Sequence, residues 1–260
     1  MKNTIFLLVL LVAAGCHKDP PVVQGCLIQS SSLEGITSYF TYDAQNRISV
    51  VTTPTIKIGY NTENYHYGSN GLVDKVEYLD SVGNTKGYIG FFYNSMGQII
   101  ADCSYVAGAN FTDFYHTYIY NAAGQVVENY NYEDTSTSST KPSCAINLHN
   151  YYTYDANGNI VKLREYDYQY LNNVVTISAS TALLTYDNSP NVARNLVSNG
   201  LQYFTLNKNN IVTMQDSASY DLEFSTYTYN TSNYVTKRVT IFRDANSTDT
   251  TTTTFNYLCH

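Results

Sequence analysis

The chain has no tryptophan, and among its 260 residues only three methionines, five prolines and five cysteines. Charged residues are also scarce at 13%, about half the share of a typical soluble domain. The charge that exists is mostly acidic, with 14 Lys and Arg against 21 Asp and Glu and a net charge of −7. The missing basic character argues against nucleic acid as a partner, because nucleic acid selects basic patches. It argues equally against electrostatic attraction to anionic lipid. No long stretch shows a 3.6-residue apolar period, so amphipathic helices do not set the architecture. The sequence has no G-x-S-x-G, no H-E-x-x-H and no P-loop. No pair of histidines has metal-ligand spacing. The expectation is a protein with no catalytic residue, no cofactor and no metal.

Tyrosine is the abundant residue, with 27 copies, and Ser, Thr and Asn fill the places where Lys and Glu usually sit. β-branched and aromatic residues favour strands, so the composition points to an all-β fold. The N-terminus is an address. After Lys2, the run "IFLLVLLVAA" (5–14) is too short to span a bilayer as a helix but suits a signal-peptide core. The division expected is a signal peptide over 1–15, an anchor and tether over 16–25, and one domain over 26–260. "HKDPPVVQG" (17–25), with two prolines and no periodicity, reads as the tether.

One phrase recurs: "YDAQNRISVV" (42–51), "YNSMGQIIAD" (93–102), "YNAAGQVVEN" (120–129) and "YDANGNIVKL" (154–163). With the motif tyrosine as position 0, the copies begin at Tyr42, Tyr67, Tyr93, Tyr120, Tyr154, Tyr186 and Tyr229, with Leu206 opening a degenerate copy. Position +6 is aliphatic in all eight: Ile48, Val73, Ile99, Val126, Ile160, Val192, Val212 and Val235. Position −2 is large and apolar or aromatic, as in Phe40, Tyr65, Phe91, Tyr118, Tyr152, Leu184, Phe204 and Tyr227. Positions 0 and −2 share one face of a strand. Asp or Asn at +1 can bond amides further on, and Gly71, Gly97, Gly124 and Gly158 at +4 supply positive φ. That chemistry describes a type I turn closed by a glycine bulge, a common hairpin connection. Asn46, Asn210 and Asn233 stand in for the glycine in other copies, and Pro190 forces a different turn.

The small residues before Cys16 in "VAAGC" resemble the lipobox of bacterial lipoproteins, which implies lipid attachment at Cys16 and anchoring through acyl chains. The repeat resembles the YD repeats of Rhs-type proteins. It is also similar to a family of uncharacterised Bacteroidetes lipoproteins described as having a porin-like fold. The resemblance covers roughly residues 36–257 and speaks to architecture. No toxin cargo or autoprotease region is recognisable, so that activity is not carried over.

Two strands per motif, with a lead strand near 27–32 and a last one near 250–257, give about 18 antiparallel strands. A meander of that length curls or closes into a barrel-like sheet. All motif turns then lie on one edge, together with Cys26 and Cys259, whereas Cys103 and Cys144 approach the other. A strand of eight residues is about 26 Å long, and bridged cysteines need Cα atoms within about 7 Å. The expected pairings are therefore Cys26–Cys259 and Cys103–Cys144. Glu77, Asp102, Glu128 and Glu165 follow the turns and could line one surface, where a pair would be needed for glycoside hydrolysis. Tyr132, Tyr168 and Tyr170, which fall outside the repeat pattern, are the ligand-binding candidates. The reading is a non-enzymatic envelope lipoprotein at the outer membrane, periplasmic or surface-facing, with a binding or structural role and a glycan or protein ligand. The alternatives are a carbohydrate-binding partner of a glycan-uptake system, a transmembrane barrel and an enzyme.

Overall fold

The turns come first, because each hairpin is set by a few atoms. Asp43, Asn94, Asn121, Asp155 and Asn230, at +1, each accept the backbone N–H groups two and four residues further on at 2.9–3.0 Å. Gly71, Gly97, Gly124 and Gly158 take φ of 78–86°, and Asn46 and Asn233 take 60° and 63°. An L side chain is strained there, least so for Asn.

The structure, a computed structural model, describes residues 26–54, 61–107, 112–134, 144–171, 174–191, 203–216 and 222–259. The signal segment, Cys16, the tether and the expected bend at 172–173 lie outside them. The strands are β1 (Cys26–Leu33), β2 (Ile36–Tyr42), β3 (Ile48–Thr52), β4 (Thr62–Tyr67), β5 (Val73–Leu79), β6 (Thr85–Tyr93), β7 (Ile99–Val106) and β8 (Thr112–Tyr120). They continue with β9 (Val126–Asp134), β10 (Cys144–Tyr154), β11 (Ile160–Leu171), β12 (Val174–Pro190), β13 (Asn209–Asp216), β14 (Leu222–Tyr229), β15 (Val235–Arg243) and β16 (Thr248–Cys259). One helical turn, α1 (Tyr203–Leu206), precedes β13. Each strand pairs antiparallel with its neighbours in sequence, and β1 pairs with β16, so the sheet is a closed barrel.

The barrel has 16 strands among the described residues rather than about 18. The copies at Tyr186 and Leu206 merge into one unit. β12 runs on to Pro190 and pairs directly with β13, with Pro190 opposite Asn209. Leu206 ends a helical turn instead of a strand. Asn210, expected at a positive-φ turn, lies buried in β13. Ile211, not Val212, enters the core.

The inward face carries the repeat. Val76, Ile89, Phe91, Ile99, Tyr118, Val126, Tyr152, Ile160, Leu184 and Ile211 form the buried cluster, with Tyr65, Val73, Tyr93, Tyr120, Tyr154 and Tyr186 packed against it. In every regular hairpin, position 0 faces +6 and −1 faces +8, so the residue at +7 is a bulge. Between hairpins the ladder stops at +8 opposite −3 of the next copy, as at Val50↔Asn64, Lys75↔Gly90, Ala101↔Thr117 and Glu128↔Tyr151. The carbonyl at +6 lies beyond that last rung, and the motif tyrosine of the next copy donates its hydroxyl to it. Tyr67 reaches Ile48 (2.7 Å), Tyr93 reaches Val73 (2.6 Å), Tyr120 reaches Ile99 (2.7 Å), Tyr154 reaches Val126 (2.7 Å) and Tyr186 reaches Ile160 (2.5 Å). Burial pushes the Tyr42 and Tyr93 hydroxyls up to about 12 and raises Tyr120 and Tyr154 as well, so these donors keep their protons.

The seam follows the same rule. Tyr257 faces Ile28 and Asn256 faces Ser30, with Gln29 as the bulge. Tyr257 donates to the Val235 carbonyl and Tyr42 to that of Ile28, both at 2.8 Å. β16 and β1 therefore form a hairpin unit without a turn, in which Tyr257 is position 0 and Ile28 is +6. Cys259 then stands at +2 and Cys26 at +4, where other copies have their turn. Cys26 is half of a disulfide, and its Cα partner in the ladder is Cys259.

The second expected pairing does not form. Cys103 is a buried thiol outside any disulfide. Its register runs through Tyr115 and Tyr132 before reaching Ile146 on the strand that Cys144 begins. Two strands intervene, so the lateral gap is about 14 Å at about 4.8 Å per strand, twice what a bridge allows. Sharing a sheet edge was necessary but not sufficient.

Gly71 tests the turn chemistry cleanly, because an added Cβ would meet only Arg47 Nη1, at 3.8 Å. Gly71→Val is expected to cost about 1–2 kcal/mol and Gly71→Asn much less. Equal losses in denaturant melts would contradict the positive-φ assignment.

Candidate functional site

Alternation along the strands sorts the candidate residues into two surfaces. Asp102 and Glu165 face inward, in register with Phe91 and Asn150, whereas Glu77 and Glu128 face outward, in register with Tyr88 and Tyr151. The four carboxylates do not line one surface, and no hydrolytic pair is assembled from them.

Inside, Asp102 is fully buried and is held by His116 Nδ1 at 2.7 Å and the Tyr118 hydroxyl at 2.5 Å. Beside it Tyr152 donates to Asn129 Oδ1, and Asn129 Nδ2 donates to Asn131, each at 2.6 Å. These groups partner one another, as in a structural network, while Asn150 Oδ1, across the ladder from Asn129, is buried without a hydrogen-bond partner among the described residues. Among the described residues no group of three His, Cys, Asp or Glu side chains could hold a metal.

Outside, three consecutive hairpins share a feature. Position −5 is Tyr88, Tyr115 and His149, and position +12 is Tyr105, Tyr132 and Tyr166. In the barrel these become direct cross-strand pairs, Tyr88↔Tyr105, Tyr115↔Tyr132 and His149↔Tyr166. Tyr130 and Tyr151 fill the remaining gaps. The rings of Tyr88 and Tyr105 stack at 4.5 Å, and the Cys103 thiol lies hydrogen-bonded to Tyr105 in the row. From Tyr115 the chain of rings runs to Tyr132 (5.5 Å), Tyr130 (6.4 Å), His149 (3.9 Å), Tyr151 (4.2 Å) and Tyr166 (5.9 Å). This chain crosses β8 to β11, and with the Tyr88–Tyr105 pair the aromatic row reaches from β6 to β11, about 24 Å at about 4.8 Å per strand. The other hairpins do not repeat it: −5 and +12 are Thr37 and Pro54 in one copy, Thr62 and Leu79 in the next.

The stripe ends between β10 and β11 in a cleft of about 240 Å³ lined by Tyr151, Thr153, Lys162, Arg164 and Tyr166. Tyr151 is 40% exposed. Arg164 lies over the Tyr166 ring at 4.9 Å. Glu128, the neighbouring carboxylate, accepts from Tyr130 and sits 3.1 Å from His149 Nε2. Burial, with Glu128 adding to it, raises the Tyr130 hydroxyl to about 12, so the ring stays neutral.

Of the three tyrosines singled out from sequence, Tyr132 lies within the stripe. Tyr168 and Tyr170 share the outward face of β11 with Tyr166, further along the strand, and Tyr170 donates to the Ile146 carbonyl at 3.0 Å. Tyr88, Tyr105, Tyr115, Tyr130, Tyr151, Tyr166 and His149 were not singled out. Their signal was the aromatic pair at −5 and +12 in three adjacent copies, on the parity opposite to the core.

No protein-family model and no curated protein matches this chain. Solved structures do. A porin-like protein from Bacteroides uniformis superposes with a TM-score of 0.56 at 15% identity, over 89% of this chain and 96% of that one. A porin-like protein from Bacteroides vulgatus gives 0.57 at 9% identity, over 89% and 98%. At these identities the likeness is one of fold: an antiparallel meander closed into a barrel.

One inward carboxylate, Glu165, makes the barrel sensitive to pH. Burial raises the Glu165 carboxyl, and Asp167 and Asp216 add like charge. A raised folded-state value means that the native protein holds this proton more tightly than the unfolded chain. Its contribution is full below the unfolded value and is lost as pH rises through the folded one. Glu165→Gln is therefore expected to be more stable than the parent near neutral pH, with the advantage vanishing toward about pH 4. Melts at the two pH values check it, and a pH-independent difference contradicts it.

Proposed function

We propose that the protein is a non-enzymatic, lipid-anchored binding protein of the cell envelope, and that its barrel is a rigid frame displaying the outer aromatic stripe to an extended glycan. The supporting observation is the stripe itself: six tyrosine and histidine rings running unbroken from Tyr115 through Tyr166, with the stacked Tyr88 and Tyr105 rings beyond the Cys103 thiol, confined to three hairpins. Flat rings with a polar edge suit sugar faces, which present C–H groups to a ring and hydroxyls to its rim. The signal segment and the lipobox-like cysteine support an envelope location. The mutual pairing of Asp102 with His116 and Tyr118, and the lack of a catalytic motif in the sequence, support binding rather than turnover.

The transmembrane reading draws on the barrel shape, which it shares with the porin-like neighbours. Against it stand charges on the outer wall: Lys75, Glu77, Glu128, Lys162, Arg164 and Lys237 all share the outward parity. An outward Lys or Arg near a bilayer midplane costs about 2–4 kcal/mol.

A glycan array followed by titration tests the reading. Binding to at least one polysaccharide is expected, weakened about threefold to tenfold by Tyr151→Ala or Tyr166→Ala, in line with about 0.5–1.5 kcal/mol per ring contact. Binding that persists unchanged when both rings are removed would sink the proposal.

A further inference from the structure

The cleft at the end of the stripe differs from the rest of it in charge. Lys162 and Arg164 are both exposed and point outward two residues apart, about 7 Å at about 3.4 Å per residue. Elsewhere on the barrel, Arg47, Lys75, Lys86 and Arg238 each sit within 4 Å of a carboxylate, Asp43, Glu77, Asp80 and Glu223, whereas Lys208, Lys237 and Arg243 form no such pair among the described residues but stand well apart in sequence. Among the described residues no carboxylate ion pair is formed by Lys162 or Arg164. Their cross-strand neighbours are Thr153 and Tyr151 on one side, and Leu183 and Thr181 on the other, none of them charged. Beyond β10, the outward acid opposite Tyr151 is Glu128 on β9, and it is engaged by Tyr130 and His149. In a chain of net charge −7, two adjacent cations left without acids mark a local reversal of sign.

We infer that this cleft binds the carboxylate of an acidic sugar, so that the glycan proposed above carries uronic acid residues. The inference rests on the stripe being a glycan surface and adds its chemistry. Arg164 presents a planar fork that matches a carboxylate with two parallel N–H···O bonds. Its stacking over Tyr166 holds that fork against the ring on which a sugar would lie. Lys162, a compact charge one rung away, meets the same carboxylate or the next one along the chain. Thr153, opposite Lys162, supplies a hydroxyl to the same cleft. A neutral glycan would engage the rings and leave both cations with water, so the selection for acid is made here and not along the stripe.

The experiment compares polygalacturonate, the same polymer after carboxyl reduction, and a sulfated neutral glycan, titrated against the parent, Lys162→Ala, Arg164→Ala and Arg164→Lys. Polygalacturonate is expected to bind at least about tenfold more tightly than its reduced form, as loss of a charge-assisted bond implies. Arg164→Ala is expected to abolish that preference by weakening polygalacturonate far more than the reduced polymer. Arg164→Lys should restore only part of it, and added salt should narrow the gap. Unchanged melting temperatures establish that the variants fold, and both side chains are solvent-exposed. If the acidic and reduced polymers bind equally, or Arg164→Ala leaves the preference intact, the carboxylate site is wrong while the stripe reading stands. If the sulfated glycan binds as tightly as polygalacturonate, the assignment to a carboxylate is overturned. If none of the three binds, the carboxylate site is wrong, and the glycan array decides separately whether the stripe reading stands.

Discussion

The hydroxyl of the motif tyrosine, given to the backbone carbonyl at +6 of the preceding copy, is the contact on which the barrel depends. A hairpin needs only its own turn to form. Joining one hairpin to the next requires that the ladder between them end cleanly, and each ladder ends at +8, two residues short of the carbonyl at +6. A carbonyl left there without a partner would cost about 1–3 kcal/mol if buried. The tyrosine reaches it from the neighbouring strand, and its ring lies on the core beside the large residue at −2. One side chain thus fills the interior and closes the backbone. Because the staple links each regular copy to the next, it propagates along the sheet and crosses the seam, where Tyr257 and Tyr42 serve Val235 and Ile28.

The exception shows the rule. Where two copies merge at β12 and β13, Tyr229 does not reach a carbonyl. Its hydroxyl goes to Asp187, whose Oδ1 also accepts the Ser189 and Asn210 amides. Tyr227, two residues earlier, takes the Ile211 carbonyl at 2.8 Å instead. Asn207, fully buried, accepts the Ile160 amide and the Tyr186 hydroxyl. A shortened repeat is repaired with side-chain polar groups, and this is where Asn accumulates.

Much of this was legible in the sequence. The period fixed the hairpins, the alternation placed Tyr42 through Tyr229 inward, and the turn residues foretold positive φ at four glycines. Two things were hidden for physical reasons. Pro190 announced an irregular turn, but that its copy and the next would share one unit depended on register across the sheet. The distance between Cys103 and Cys144 is lateral, and linear parity reports only which edge a residue approaches. The outer stripe was legible in a different sense. Its pairs at −5 and +12 are regular, yet they carry no core-forming logic, so a reading guided by burial passes over Tyr88, Tyr115 and Tyr166. That separation of parities frees the outer wall from the repeat: the inward residues are fixed by folding, and the outward ones vary from hairpin to hairpin.

Stability measured for paired Tyr→Phe variants tests the staple most directly, because the change removes an oxygen and leaves the ring. Tyr93→Phe, Tyr120→Phe and Tyr154→Phe delete hydroxyls that reach +6 carbonyls. Tyr115→Phe and Tyr166→Phe delete outward hydroxyls of the stripe. If the staples join the hairpins, each of the first three lowers stability by about 1 kcal/mol or more and the last two by much less. Equal losses in the two sets, or none in the first, would mean that the rings alone hold the barrel and the hydroxyl contact is incidental.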